Sequence, residues 1–561
     1  MRKFWQINLT KQLFFILLAV VTTYVIVSAN NTFAFENPNL QQMSEDDWWL
    51  PSWVEPLPDV IGFYGENPNS VPDQTLKLVT FRWSDVNPQE DVYDWSILEN
   101  ALQGNNNIYI RLENSDVNHC PQWLSQKYPD LQPLKLSSYM DNFDNYSDGY
   151  FYPMWHPGFK QEFTKLLQSF KDKGFGYNPR LKFAYIPGAW KWGEFDLNFV
   201  GYMKSQGMTP NDYYQWFTEL IDTYIDAFGQ ENAHKLMYTE QDVIPLAEGD
   251  WEWRNFIDRK LTKYAFEKGL STRFGLLEKY NFVNTDMPNY GISIVNSDGH
   301  NYMEVNESSP LISDPQRFIG SESEEIYNEN ITVDNYLQLK MTALKNLQVR
   351  ANVVFMGREI WNRAPELHNY MMKSLGRHYY DSPDAWCALR EAKDDYTFFL
   401  YGISSNPWVR NFERWLVQRE VNPDGNTVKT YYANTSVPHN DESYEALRTD
   451  SASGNNYIYF GVDDRFIKGG SNQIQIKVTY LDNNSSQWWL EYDAADGNIY
   501  KPSNKIQNSK DNKWKTVTFY INDAAFLNRQ REGMDFSIFN GGLDDITIRF
   551  VRVIKENPPS I

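Results

Sequence analysis

The chain has 561 residues, a formal net charge of −21 and a pI near 4.9. This length exceeds what one ordinary hydrophobic core holds, so we expect a large domain and at least one smaller one. The acidic balance argues against a nucleic-acid partner and against an anionic membrane surface, because both attract basic patches. Neutral, soluble ligands fit the composition better, and no stable protein partner is predicted.

The amino terminus has the pattern of an export signal. Basic residues precede an apolar run from Leu13 to Val27, and small-residue cleavage motifs follow at 27–29 and 32–34. We therefore predict that residues 1–34 are a signal peptide and that the protein is secreted. An uncleaved run of this length nearly spans a bilayer, so a membrane-anchored form is the alternative.

The sequence lacks the cysteines of a disulfide framework and the residue spacing of a catalytic metal site. Cys120 and Cys387 are its two cysteines, which excludes a disulfide scaffold and a thiolate-rich metal site but leaves open whether they pair. His119, His156 and His300 lack the spacing of a motif such as His-Glu-X-X-His. We predict no cofactor and no catalytic metal.

Short apolar runs alternate with amphipathic segments through the first 400 residues, a pattern typical of a (β/α)₈ TIM barrel over residues 35–400. A doubly wound sheet is the competing α/β fold, but no Gly-rich phosphate loop follows the early strands. The predicted barrel strands are Val60–Gly62, Leu76–Trp83, Ile108–Glu113, Leu181–Ile186, Lys235–Glu240, Arg273–Leu277, Arg317–Glu322 and Asn352–Arg358.

A second pattern begins near residue 445, where apolar and polar residues alternate in runs separated by Asn, Asp and Gly turns. This alternation predicts an antiparallel β-sandwich over residues 445–557, with residues 401–444 as a connector packed on the barrel.

The stretch from Tyr185 to Glu194 is the most informative in the chain. An apolar strand runs through Pro187 into a loop that places Glu194 beside Trp190 and Trp192. An apolar aromatic setting raises the pKa of a carboxyl group, as a general acid requires. The alternative is an ordinary surface loop with two half-buried anchors.

Active groups of a barrel come from the carboxyl ends of its strands and the loops that follow. Each single residue there can be a solvated loop charge, but almost every predicted strand ends in such a group. The strand-end residues are Arg82, Trp83, Arg111, Glu113, Glu194, Glu240, Glu278, Glu322, Glu324, Glu325, Arg358, Glu359 and Trp361.

Two motifs carry a resemblance to a known group of proteins. The stretch Phe81–Trp95 resembles the β-galactosidase pattern of arginine and tryptophan, then proline, then tyrosine-aspartate-tryptophan, and Ser382–Trp386 is similar to segments near the end of such barrels. Over residues 55–400 the chain therefore resembles the glycoside hydrolase superfamily of (β/α)₈ barrels. Its members place the acid/base after strand four and the nucleophile at the end of strand seven.

The resemblance implies that Glu194 is the acid/base and Glu322 the nucleophile of a retaining glycosidase with a carbohydrate substrate. Strand alternation puts Glu324 on the same face as Glu322 and makes it the main rival, with Glu325 the lesser one. One departure is Gly193, since many members have Asn directly before the acid/base.

The resemblance also implies a set of substrate-binding residues and an alternative function. A barrel that kept its cleft and lost catalysis would be a cell-surface glycan-binding protein. The expected substrate-binding residues are Arg82, Trp83, Arg111, Glu113, Trp190, Trp192, Glu240 and Trp361.

The predicted sandwich resembles carbohydrate-binding accessory domains of bacterial glycosidases. Its Trp488, Trp489, Tyr492 and Trp514 either form a sugar-binding platform or belong to the core. Oxygen ligands from Asp463, Asp464 and Asp545 suggest a structural Ca²⁺ on composition alone.

Overall fold

The computed structural model describes residues 40–44, 47–66, 70–72, 74, 76–135, 150–186, 206–239, 260–276, 291–323, 335–392, 409–430 and 445–558. Among these residues, no helix is long and apolar enough to cross a membrane.

Eight parallel strands form a nearly closed barrel, as the sequence predicts. Their order in the sheet is β1-β8-β7-β6-β5-β4-β3-β2, so strands that follow one another in the chain are paired, except β1 and β2 at the two ends of this order. The apolar runs are continuous because both faces of a parallel barrel are buried. The strands are β1 Gly62–Tyr64, β2 Leu76–Arg82, β3 Asn107–Glu113, β4 Leu181–Ile186, β5 Leu236–Thr239, β6 Ser271–Leu276, β7 Ile319–Ser323 and β8 Val353–Met356.

Some helices between these strands begin at a residue whose side chain accepts a hydrogen bond from a free backbone N–H group, as at His156, Thr209 and Ser309. The Thr209 hydroxyl accepts from the Asp212 N–H, and the Asp212 carboxylate accepts from the Thr209 N–H at 2.7 Å. This reciprocal capping fixes the start of the longest helix. The helices are Trp83–Val86, Ser96–Gln103, Gln122–Lys127, Pro157–Asp172, Pro210–Phe228, Pro310–Ser313, Asn335–Gln348, Arg358–Arg363 and Pro365–Ser374.

The barrel interior is filled mainly by aromatic rings. Tyr64, Tyr109, Phe183 and Phe355 are buried inside the barrel. The ring centroids of the other three lie 5.1 to 5.6 Å from the ring centroid of Tyr64. A larger apolar cluster fills the layer between the strands and the surrounding helices. The interior is therefore a packed core, and chemistry is left to the strand ends.

Two antiparallel sheets form the carboxyl-terminal sandwich. We call them the inner and the outer sheet. The inner sheet contains Leu40–Ser44, Trp514–Ala524, Asn472–Leu481, Thr547–Lys555, Asp384–Ala392 and Val409–Arg414, with Ala446–Arg448 and Val428–Thr430 at one side. The outer sheet contains Leu416–Arg419, Tyr457–Val462, Phe536–Phe539, Gln487–Tyr492, Lys501–Pro502 and Ile506–Gln507.

The sandwich starts earlier in the chain than the sequence indicates. The strand Asp384–Ala392, placed in the predicted barrel, pairs with Thr547–Lys555, and the strands Val409–Arg414 and Leu416–Arg419 lie in the predicted connector. An apolar run at position 384 has the same pattern in either domain, so only its pairing partner assigns it. Residues 40–44 also join the inner sheet, at its edge.

The inner sheet packs against the barrel through a buried polar contact. The Asp384 carboxylate accepts hydrogen bonds from Arg552 at 2.8 and 3.0 Å and from the Tyr370 hydroxyl of a barrel helix at 2.9 Å. The side chains of Asp384 and Arg552 are 0% and 1% exposed. A second buried carboxylate, Glu307, binds groups of both domains. Although burial alone would raise the pKa of Glu307, bonds from its partners, including Trp415, hold it well below its usual range.

Replacing Asp384 with Asn is expected to destabilise the protein by about 3–5 kcal/mol, because it leaves the Arg552 charge buried without a counterion. Urea unfolding of both proteins measures the difference. The control is Glu99→Gln, which breaks the exposed Lys173–Glu99 pair and should cost less than about 1 kcal/mol. Equal effects of the two substitutions would contradict the interpretation of the Asp384 contact.

Both cysteines are buried and carry free thiols. Cys120 donates to the Asn114 carbonyl at 3.0 Å, and burial raises the pKa of both thiols. The structure therefore answers the question that the sequence left open, since the two cysteines form no disulfide.

Candidate active site

Arg111 of β3 lies inside the carboxyl end of the barrel and is 5% exposed. Its guanidinium carbon is 5.3 Å from the Tyr185 ring centroid and 6.0 Å from that of Phe355. Its Nη1 lies 2.5 Å from Oε1 of Glu66, which follows β1. A buried guanidinium stacked on aromatic rings is held in place and keeps its charge.

Arg273 of β6 approaches the same ring from another strand. Its guanidinium carbon is 5.3 Å from the Tyr185 centroid, and its side chain is fully buried. The hydroxyl of Tyr185 shares a short hydrogen bond with that of Tyr64. Burial and the Tyr185 hydroxyl raise the pKa of Tyr64, although Arg273 opposes the shift. Two arginines and two phenols thus form a polar floor at the end of the barrel.

The sequence predicts Arg111 in this floor but not Arg273, Tyr64 or Tyr185. A usable signal was present, because Phe183 faces the interior and alternation then places Tyr185 on the same side. Most residues predicted for the site stand at the ends of strands or in the loops that follow, whereas Tyr185 and Arg273 lie within their strands.

Glu113 ends β3 and places a carboxyl group at the carboxyl end of the barrel. Its Oε2 lies 3.1 Å from His119 Nδ1 and 3.7 Å from Arg82 Nε. Burial raises the pKa of Glu113, and Arg82 only partly opposes the shift. Burial also disfavours the charged form of His119, and it therefore lowers the pKa of that group. The carboxyl oxygens of Glu113 and the ring nitrogens of His119 can therefore form hydrogen bonds with substrate hydroxyl groups.

Trp83, which the sequence predicts to bind substrate, is buried in the structure. Its ring has no exposed surface and packs against Phe159 and Phe163, with centroids 5.1 and 5.4 Å away. Its indole N–H donates to Asn87 Oδ1 at 3.1 Å. Trp83 begins a short helix rather than ending the strand, and this turn carries the ring into the core.

Trp361 is also a core residue. It is 6% exposed and packs between Phe63 and His368, with ring centroids 5.1 and 5.4 Å away. Neither it nor Trp83 presents a free face on which a sugar ring could stack. Arg82, by contrast, has a side chain that is 53% exposed, so it remains available to a ligand.

Several predicted site residues lie outside the described residues, namely Trp190, Trp192, Glu194, Glu240, Glu278, Glu324 and Glu325. Glu194 follows the end of β4 at Ile186, and Glu240 comes directly after the last residue of β5. For Glu322 the structure describes the backbone. It belongs to β7, where it pairs with Phe355 of β8 and Leu276 of β6.

No group of three His, Cys, Asp or Glu residues suited to a metal ion occurs in the described part of the chain. The three aspartates of the suggested Ca²⁺ site bind other groups. Asp463 pairs with Arg465, Asp464 accepts from Asn528 at 2.8 Å, and Asp545 accepts from the Ser451 N–H at 2.8 Å. The calcium site stays a prediction.

A family model described as β-galactosidase, glycoside hydrolase family 42, matches residues 71–184. This segment covers strands β2 and β3 and ends within β4, and it includes the stretch Phe81–Trp95. Over this segment, and in its parallel eight-stranded barrel, the chain is similar to glycoside hydrolases of the (β/α)₈-barrel superfamily. The protein is a glycosidase. No curated protein sequence matches the chain.

Solved structures of carbohydrate-active proteins share only distant similarity. An endo-glycoceramidase II from Rhodococcus sp. is 10% identical, covers 84% of this chain and 99% of its own, and has a TM-score of 0.24. An isomaltodextranase from Arthrobacter globiformis is 9% identical, covers 92% of this chain and 99% of its own, and also has a TM-score of 0.24. A carbohydrate-binding module of a Zobellia galactanivorans laminarinase is 10% identical, covers 25% of this chain and 99% of its own, and has a TM-score of 0.16. Superpositions at these scores establish neither substrate nor mechanism.

Proposed function

We propose that the protein is a secreted glycosidase that cleaves an oligo- or polysaccharide with retention, using Glu194 as acid/base and Glu322 as nucleophile. The observation that carries the proposal is the position of Glu322 in the barrel ladder. It is the register partner of Phe355, a residue of the barrel interior, at the carboxyl end of β7.

Neighbouring residues of β7 support this placement. Phe318 contacts Phe183 inside the barrel at 5.6 Å between centroids, whereas the Ser321 hydroxyl binds Asn346 of the surrounding helix layer. Alternation along the strand then assigns the Glu322 position to the interior face. A nucleophile at the carboxyl end of a barrel strand is where this fold places catalytic groups.

The positive charges of the arginine floor favour the ionised form of the nucleophile. Arg111 and Arg273 bring two guanidinium groups to the interior, near Phe355 and Tyr185. Nearby positive charge favours the carboxylate form and lowers the pKa of a carboxyl group. Glu194, in a loop rich in tryptophan, is suited to the opposite shift, and such a pair of environments separates nucleophile from acid.

In the proposed reaction, the Glu322 carboxylate attacks the anomeric carbon as the bond to the leaving oxygen breaks. Glu194 gives its proton to that oxygen, which leaves a glycosyl-enzyme ester. Glu194, now a carboxylate, takes a proton from water, and the water oxygen attacks the anomeric carbon and releases Glu322. Glu113, with His119 and Arg82 beside it, binds hydroxyl groups of the sugar.

The experiment is an assay of the purified protein on a panel of aryl glycosides, beginning with β-D-galactosides, followed by NMR of the first-formed sugar. Retention of the anomeric configuration is expected, with the two carboxyl groups about 5–5.5 Å apart. Inversion would refute the nucleophile role of Glu322. Binding of glycans without hydrolysis across the panel would favour the glycan-binding barrel instead.

A further inference from the structure

The two sheets of the sandwich have different surroundings. Trp386, Ala388 and Phe550 of the inner sheet belong to the same apolar cluster as the barrel, and Phe550 lies 5.7 Å from Trp48 between ring centroids. The inner sheet therefore uses its second face to hold the barrel. The outer sheet buries one face in the sandwich core, and its other face is directed away from that core.

A row of three aromatic residues crosses that other face. Tyr457 pairs with Phe539, and Phe539 pairs with Trp489, so the three occupy adjacent strands at one level. The ring centroids are 4.6 Å apart for Tyr457 and Phe539 and 4.8 Å apart for Phe539 and Trp489. We call these residues the aromatic row.

Alternation shows that the aromatic row is not part of the sandwich core. The residues beside it along the strands, Ile458, Ile538 and Leu490, are fully buried in the core, whereas all three row residues are partly exposed. The solvent face of an antiparallel sheet is normally polar. Three contiguous rings on it are expected of a surface that binds a ligand.

Polar groups lie directly beside the aromatic row. The Trp489 indole N–H donates to Glu491 Oε1 at 3.2 Å, and the Tyr457 hydroxyl also bonds to Glu491. Burial raises the pKa of Glu491 although both donors oppose the shift. The Lys505 ammonium lies 4.2 Å from the Trp489 ring centroid. The face thus combines flat apolar rings with the Glu491 carboxyl group as acceptor and the Lys505 ammonium as donor.

We propose that Tyr457, Phe539, Trp489 and Glu491 form a binding site for a neutral polysaccharide, separate from the catalytic barrel. The C–H faces of pyranose rings match flat aromatic rings, and their hydroxyl groups match Glu491 and Lys505. A net charge of −21 disfavours a polyanionic glycan. The site goes beyond the proposed function, because the described ring and side-chain contacts of the aromatic row are with residues of the sandwich.

This assignment corrects the platform suggested by the sequence. Of its four members, only Trp489 lies in the aromatic row. Trp488 and Tyr492 are 1% and 6% exposed and belong to the core, and Trp514 is on the inner sheet beside Arg549. Side chains of adjacent residues in a strand lie on opposite faces of the sheet, so Trp488 and Trp489 cannot both belong to one sugar-binding surface.

The test is affinity electrophoresis of the full protein in native gels that contain a β-galactan, a β-glucan, an arabinoxylan or a dextran. Wild type should be retarded by at least one of these and not by polygalacturonate. Trp489→Ala should weaken the retardation about tenfold or more, as expected for loss of an aromatic anchor. The matched control Trp514→Ala, which removes a partly exposed tryptophan of the other sheet, should leave it unchanged.

Hydrolysis of an aryl glycoside, measured in parallel, separates this proposal from the catalytic one. Trp489→Ala should keep the wild-type kcat/KM on that small substrate. An active enzyme that no neutral polysaccharide retards would overturn the binding site alone, as would equal effects of the two tryptophan substitutions. A wild type that forms dimers lost in Trp489→Ala, without glycan binding, would assign the face to a second copy and overturn the proposal.

Discussion

Replacing Glu322 with Gln is expected to lower kcat/KM by roughly 10⁴-fold or more, because an uncharged amide cannot form the glycosyl-enzyme ester. The side chain keeps its size, so folding should be preserved and the unfolding midpoint should stay near that of wild type. Steady-state kinetics on the best aryl glycoside of the panel measures the loss.

The control for this substitution is Glu304→Gln, the same chemical change at an exposed position of the hairpin strand His300–Val305. It should leave kcat/KM unchanged. Glu324→Gln and Glu325→Gln decide between neighbouring candidates, since only loss of the nucleophile should remove nearly all activity. Glu322→Ala should in addition recover activity with added azide, which replaces the missing carboxylate and yields a glycosyl azide of inverted configuration. Full activity of Glu322→Gln would refute the assignment.

Replacing Glu194 with Gln removes the proton that the leaving group needs, and general acid catalysis is worth about 10²–10⁴-fold. The loss should depend on the leaving group. A dinitrophenyl glycoside departs without protonation, so its first step should stay close to the wild-type rate, whereas an unactivated disaccharide should show the full reduction. Pre-steady-state kinetics measures the first step separately from hydrolysis of the ester.

The pH profile gives a second readout for Glu194. In wild type, deprotonation of the acid limits kcat/KM at high pH, so activity falls on the basic side. Glu194→Gln should lose that basic limb. A variant that is equally impaired on both substrates and keeps the wild-type profile would show that Glu194 is not the acid.

Much of the barrel could be predicted from the sequence, because buried parallel strands are continuous apolar runs between amphipathic helices. The run Leu181–Ile186 matches β4 at both ends. The strand Asp384–Ala392 could not be assigned, since the pairing that puts it in the inner sheet joins it to residues 547–555, far along the chain. A local pattern carries no information about such a partner.

The candidate site was harder to predict than the fold, and the tryptophans show why. Trp83 directly follows a barrel strand, as a sugar-binding residue would, yet it packs on Phe159 and Phe163 of a helix much later in the chain. Conversely, Arg273 lies inside an ordinary strand and reaches the floor beside Tyr185. Position along a strand is visible in the sequence, whereas the burial of a ring depends on distant segments.

The most direct test of the central claim is mechanism-based labelling. A 2-deoxy-2-fluoro glycoside of the preferred sugar, with an activated leaving group, slows hydrolysis of the ester and traps the intermediate. After proteolysis, mass spectrometry should find the fluoro-sugar on the peptide that contains Glu322, and fragmentation should place it on that residue. A label on any other carboxylate, or an active enzyme that is never labelled, would contradict the account.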